Sequence, residues 1–183
     1  MYTVKILKED DISWEIQNEI HKLLNTTFKG KSTRFIAKTY AHIRPSERII
    51  LFREDQPIAH LAIHEDTLHV GSISKRVACL GLWCAANHSK KLATDIMKIA
   101  YTHLEKKGFA LGFGITSSQV ILKYVLPQMR HLQLDVQVKG KNTTSKPIDK
   151  TLFLVISMSD EELKAIKKEA VTEKVVYVDT EVF

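Results

Sequence analysis

Residues Lys75–Lys107 read KRVACLGLWCAANHSKKLATDIMKIAYTHLEKK, and three textures follow one another in them: an apolar strand, a small polar loop and a long amphipathic helix. In the strand, Val77, Cys79, Gly81 and Trp83 fall on one side and Ala78, Leu80, Leu82 and Cys84 on the other. Both sides are apolar, which places the strand inside a sheet covered on two faces. Gly81 packs nothing there, so it marks a bulge, a close backbone approach or a tight packing spot. The helix begins after Ser89, a natural N-cap, and Gly108 stops it. Its buried stripe is Leu92, Ile96, Ile99 and His103 with Ala93, Met97, Ala100 and Leu104 beside it. At ~1.5 Å per residue it spans roughly 27 Å, enough to cross a sheet. Lys90 and Lys91 in the first turn oppose the helix dipole, so either an anion sits among them or they form a solvated charge pair. Backbone N–H groups at a helix start attract anions, and a ligand is expected at this loop.

Working outward, 183 residues that are 44% apolar and 26% charged fit one domain over 1–183, with 159–183 a C-terminal helix–strand appendage. No run approaches the roughly 18 apolar residues of a membrane span. The opening MYTVKILKEDD lacks the apolar core of a signal peptide. Cys79 and Cys84 lie on opposite faces of one strand and cannot bond to each other, so a reducing, cytoplasmic setting is expected. The net charge of +6 sits largely in Lys139–Lys150 and on a late helix, where Asp160, Glu161 and Glu162 precede Lys164, Lys167 and Lys168. No arginine-rich stripe interleaved with aromatics and no zinc-ligand signature occurs, so no nucleic-acid partner is expected.

Before the central stretch, the pattern predicts a strand at Tyr2–Leu7 and a helix capped near Asp11 or Ser13, broken at Lys29–Lys31. Thr33–Ile43 fits a short helix or a covering loop. An antiparallel meander follows: Ile49–Arg53, a turn at Glu54–Pro57, Ile58–His64, a turn at Glu65–Asp66, Thr67–Ile73, and a turn near Ser74–Lys75. After it come a strand at Phe109–Ile115, a helix at Ser117–Leu126, a strand at His131–Lys139, a linker and a strand at Thr151–Met158. A helix at Asp160–Val171 and a strand at Val175–Val182 close the chain. The fold class is therefore α/β in the α+β sense, a mixed sheet with an antiparallel N-terminal meander and helices on both faces.

His60 and His64 lie about 13 Å apart along one strand and cannot share a metal, and no metal site is expected. G-x-S-x-G, P-loop and G-x-G-x-x-G motifs are missing, which removes most support for nucleophilic hydrolases and nucleotidases.

One family carries this succession of elements. A meander with PIAHLAIH, then VGSISKRVACLGLWC, a basic loop into a long helix, and KKGFALGFG before a short helix resemble the GNAT superfamily of N-acyltransferases. The nearest likeness is to the nodulation acyltransferase (NodA) and aminoglycoside N-acetyltransferase type, and it covers roughly Arg44–Pro127 with Thr151–Met158 as a late strand. The resemblance implies a GNAT-like central sheet. It also implies transfer of an acyl group from acetyl-CoA, another acyl-CoA or an acyl carrier to an amine of a small molecule or amino sugar.

The pantetheine arm would pair with the backbone of Leu82, Trp83 and Cys84, in a gap before the next parallel strand. The pyrophosphate would rest on His88, Ser89, Lys90, Lys91, Leu92 and Ala93, which occupy the family motif [R/Q]-x-x-G-x-[G/A] and keep only its final small residue. Tyr124 falls near the family's tyrosine acid, with Gln128 where the motif has glycine; the alternative is a core tyrosine. Where related enzymes carry a glutamate this chain has Cys79, and His60 on the neighbouring strand is a substitute base titrating near neutral pH, or else a satisfied sheet histidine. A GNAT-fold binding module without acyl transfer is the alternative function, and assembly as a homodimer is left open.

Overall fold

The computed structural model describes residues 1–28, 44–115, 121–134, 137–140, 151–173 and 175–178. The chain forms two compact units, Met1–His64 with Leu80–Ala100, and Glu65–Cys79 with Tyr101–Phe183. Expectations for Lys29–Lys31, Thr33–Ile43, the 141–150 linker and the last residues of the terminal strand lie outside the described residues.

In the first unit, β1 (Thr3–Lys8) pairs antiparallel with β2 (Glu47–Arg53), and β2 with β3 (Gln56–Val70). The register sets Ile50 opposite His60 and Arg48 opposite Ala62, so these side chains share one face of the pleat. Helix α1 (Trp14–Thr27) starts where the sequence placed it, since Ser13 Oγ accepts from the Ile16 amide. Its Ile20, Leu23 and Leu24 bury against Ile50, Phe52 and Cys84. The β2–β3 turn is tighter than expected: Glu54 and Asp55 alone make it, both left-handed, and Gln56 and Pro57 already belong to β3.

The predicted turn at Glu65–Asp66 does not form, and β3 runs unbroken for 15 residues. Partners keep its charged residues in the strand. Glu65 accepts from Arg76 Nη2 at 2.7 Å and from Lys107 Nζ at 3.0 Å, while Asp66 Oδ1 accepts from the Thr67 amide at 2.7 Å. The reversal into β4 (Ile73–Ala85) comes at Gly71–Ser72, earlier than the predicted Ser74–Lys75. Gly71 has φ +54°, a conformation that favours glycine, while a Cβ there would meet only the end of the flexible Glu169 side chain, which can swing aside.

In the second unit, Val77–Cys79 of β4 pair in parallel with β5 (Leu111–Ile115), β5 pairs antiparallel with β8 (Thr151–Val155), and β8 with β6 (His131–Leu134). The strand predicted at His131–Lys139 is in fact two strands. After β6 the chain changes partner, and β7 (Gln137–Gly140) pairs in parallel with β9 (Val175–Val178), which also meets Leu68 and His69 of β3. Helix α3 (Asp160–Glu173) opens with a reciprocal capping box, Glu162 N–H donating to Ser159 Oγ and Ser159 N–H to Glu162 Oε2. Its Ile166 and Ala170 join Leu68, Val77, Phe113 and Val176 in the core of this unit. The described part of the predicted Ser117–Leu126 helix is one π-helical turn, Ile121–Val125, followed by a 3-10 turn at Leu126–Gln128.

Candidate active site

The central strand behaves as its sequence requires up to Cys79: Val77, Ala78 and Cys79 are all buried, whichever face they point to. Further along, it breaks its regular conformation. The break falls at Leu82, with φ +51°, one residue beyond Gly81. A non-glycine residue in the left-handed region is uncommon and has to be held there by its surroundings.

Those surroundings are a chain of buried polar groups in the first unit. Arg48 and His60 are fully buried and Glu9 is 4% exposed. Arg48 grips the Glu9 carboxylate with two bonds, Nε to Oε2 at 2.5 Å and Nη2 to Oε1 at 2.9 Å. Its Nη1 donates to His60 Nε2 at 3.1 Å, and His60 Nδ1 lies 2.9 Å from the Leu82 carbonyl oxygen. A guanidinium can only donate, so Nε2 is the acceptor and Nδ1 carries the proton given to Leu82. Burial, and then the Arg48 charge, push the His60 pKa down to about 3. The expectation of a histidine titrating near neutral pH is thereby corrected: the ring stays neutral and both nitrogens are engaged.

After β4, Ala86–His88 form a 3-10 turn in which Asn87 and His88 are both left-handed. Ser89 then caps α2 (Lys90–Lys106): its Oγ accepts from the Leu92 amide at 3.4 Å and its carbonyl from the Ala93 amide at 3.0 Å. By position, the amides of Lys90 and Lys91 precede any carbonyl of their own helix. His88 and Lys90 are exposed, whereas Leu92 and Ala93 are buried. Lys91 forms a solvent-facing ion pair, Nζ to Asp95 Oδ2 at 2.5 Å, and Asp95 also accepts from the Tyr2 hydroxyl at 3.0 Å. The Asp95 carboxylate holds the Lys91 pKa above the ordinary lysine value.

Trp83 is half-buried, and its buried Nε1–H has no hydrogen-bond partner among the described residues. Cys84 packs among the residues beneath α1, and burial pushes its thiol up to about 12. Cys79 is buried too, and burial, with the Asp66 carboxylate beside it, raises its thiol further. Tyr124 belongs to the second unit and is 45% exposed on the π-helical turn, its carbonyl accepting from Gln128 Nε2, so it is no core tyrosine. The first unit thus gathers His60, Leu82–Cys84 and His88–Ala93, with His60 bonded directly to Leu82. Among the described residues no group of three or more His, Cys, Asp or Glu could hold a metal ion.

Glu9, Arg48 and Asp95 escaped the sequence reading. An arginine in phase with Ile50 and Phe52 on an apolar strand was the available signal for Arg48, and the i, i+4 spacing of Lys91 and Asp95 was the signal for their pair.

The family model of nodulation protein A (NodA) matches residues 3–161. The chain belongs to the NodA family. Resemblance and fold agree with that membership, since NodA is an N-acyltransferase family and solved GNAT proteins share this architecture. YhbS of Escherichia coli, a GNAT-family N-acetyltransferase solved in complex with CoA, superposes with a TM-score of 0.64 at 12% identity, over 96% of this chain and 88% of its own. An acyl-CoA N-acyltransferase from Pseudomonas aeruginosa gives a TM-score of 0.60 at 9% identity, over 85% and 100%. Other matched chains are much longer: this NodA-family chain spans about a third of Eis1 from Mycobacterium abscessus, 34% of that chain and 74% of this one at 10% identity, with a TM-score of 0.54. No curated protein matches the sequence.

Proposed function

We propose that residues 1–183 act as one N-acyltransferase domain that moves an acyl group from acetyl-CoA, another acyl-CoA or an acyl carrier to an amine of a small molecule or amino sugar. The observation that carries this reading is the left-handed break at Leu82, set in one unit with the capped start of α2. The break turns strand amides out of a regular ladder, and such N–H groups can hold a pantetheine amide or the oxyanion that forms on the thioester carbonyl. The unpartnered Trp83 indole N–H adds a donor beside it. Phosphates suit the α2 start, where His88 and Lys90 are exposed and Ser89 has already ordered the first turn.

The chemistry is direct. The amine nitrogen attacks the thioester carbon, the C–N bond forms, the C–S bond breaks, and the amine proton leaves to water. The departing thiolate takes a proton, and Tyr124 keeps the role of acid in this reading. Two buried free cysteines support a reducing, cytoplasmic setting. No described helix is long and apolar enough to cross a membrane.

Thermal-shift titration with acetyl-CoA tests the reading: ligand at 100 times its Kd stabilises by about 2.7 kcal/mol. Thiol release over a panel of amines and amino sugars then identifies the acceptor. A flat thermal response to acetyl-CoA and to longer acyl-CoA and acyl-carrier donors overturns the enzyme and leaves a binding module on the same fold.

A further inference from the structure

We infer that Glu9, Arg48 and His60 form a positioning relay that aims the Leu82–Trp83 peptide of β4 at the acyl donor. The inference rests on the proposed acyl transfer. It goes beyond it by assigning a role to three residues to which the proposed transfer gives none.

An arginine, a glutamate and a histidine, all buried, are a poor way to stabilise a small core, because apolar side chains of similar volume do as well or better. Their value lies in direction. The bonds run in one order: the Glu9 carboxylate accepts from Nε and Nη2 of the Arg48 guanidinium, Nη1 donates to His60 Nε2, and the tautomer this imposes leaves Nδ1–H for the Leu82 carbonyl. Glu9 is itself anchored, its N–H donating to the Ser46 carbonyl at 3.1 Å. Arg44 faces Glu9 from outside at 3.9 Å, and its Nη1 pairs with Asp10.

A trans peptide is planar, with its C=O and N–H pointing in opposite directions. No cis peptide bond occurs among the described residues, so holding the Leu82 oxygen on His60 turns the Trp83 N–H away from His60. The same bond holds Leu82 at φ +51°, where a leucine does not rest unaided. The relay thus converts an ion pair between Glu9 and Arg48 of β2 into the orientation of one amide on β4. His60 acts on that amide and is not the base.

Two nearly isosteric variants separate positioning from packing. His60→Asn keeps an N–H donor near the Nδ1 position and so preserves the bond to Leu82. His60→Gln places its amide near the Nε2 position, satisfies Arg48 and drops Leu82. Both variants keep the site polar, and each gives up one of the two His60 bonds, so their costs in stability should be alike. His60→Asn is expected to stay within about threefold of wild type in acetyl-CoA affinity and transfer rate, and His60→Gln to lose tenfold or more at equal melting temperature. Equal behaviour of the two, or the reverse order, overturns the relay.

NMR of the ligand-free protein gives an arm that needs no donor. The His60 ring should show the Nδ1–H tautomer throughout pH 5–9, and the Trp83 amide resonance should move in His60→Gln and stay in His60→Asn. An Nε2–H ring or an unmoved Trp83 amide overturns the relay even if acetyl-CoA binds. Failure of the wild type to bind any acyl donor overturns the acyl transfer instead, while these resonances still decide the orientation.

Discussion

His60 on β3 and Leu82 on β4 are joined by a bond from a ring N–H to a backbone carbonyl, 2.9 Å long and closed to solvent on the histidine side. This contact ties the buried charge pair of Glu9 and Arg48 to the one left-handed residue of the central strand.

The buried ring makes folding sensitive to pH in one direction. An unfolded histidine titrates near 6.5, whereas His60, buried and facing the Arg48 cation, is held down to about 3. A depressed folded-state pKa means that its stability is fully present above 6.5 and is lost as pH falls toward 3. The expected slope from this residue is up to about 1.4 kcal/mol per pH unit between roughly pH 6 and 4. Urea unfolding of wild type and His60→Asn at several pH values measures it. Parallel curves over that window would show that the ring is not buried neutral.

Arg48 and Glu9 should behave as a unit. Arg48→Met leaves the buried Glu9 carboxylate with only the half-exposed Arg44 guanidinium at 3.9 Å in place of its bidentate partner, with an expected loss of about 3 kcal/mol. Glu9→Leu combined with Arg48→Met removes both charges and should recover most of that loss. Recovery is incomplete because His60 Nε2 then lacks its donor, worth about 1–3 kcal/mol. Denaturant midpoints of the single and double variants give the coupling. Additive losses would contradict the pairing.

How much of this was legible beforehand follows from what each residue interacts with. The strand–loop–helix unit from Lys75 to Lys107 could be read because its signals are local: apolar faces, the Ser89 cap and the Gly108 stop all act within a few residues. The false turn at Glu65–Asp66 shows the limit. Acidic residues favour turns when unpartnered, and here Arg76 and Lys107, 11 and 42 positions away, keep Glu65 in a ladder. The split of the strand predicted at His131–Lys139 depends likewise on which distant strands supply partners. At the site, the β4 break was legible to within one residue from Gly81. The Glu9–Arg48 pair was not, because it joins residues 39 apart and each looked ordinary in its own segment.

The start of α2 offers a test by charge reversal. Lys91 holds its ammonium on Asp95, which is also bound by Tyr2, so its positive charge stays beside the first turn in a defined place. Lys91→Glu puts a carboxylate at a helix start, where the dipole tolerates it, but next to Asp95, which repels it. These effects oppose one another, and the melting temperature should barely move. Acetyl-CoA affinity should fall at least tenfold at low salt, with the gap narrowing as salt rises. An unchanged affinity would remove the phosphates from this end of the helix.

Transfer without a covalent enzyme intermediate is the last expectation, and the cysteines decide it. A thiol acts as a nucleophile only as thiolate. Cys84 is held up to about 12 by burial beneath α1, and Cys79 is buried with the Asp66 carboxylate near its sulfur, which opposes ionisation further. Neither should react with iodoacetamide in the folded protein except as fast as the chain opens. Intact mass after mixing with acetyl-CoA in the absence of amine should show no acyl adduct. Cys79→Ala and Cys84→Ala should cost stability through lost packing, on the order of 1–2 kcal/mol, while leaving the transfer rate per folded molecule unchanged. A stable acyl adduct on either cysteine would replace direct attack by the amine with a two-step route through that cysteine.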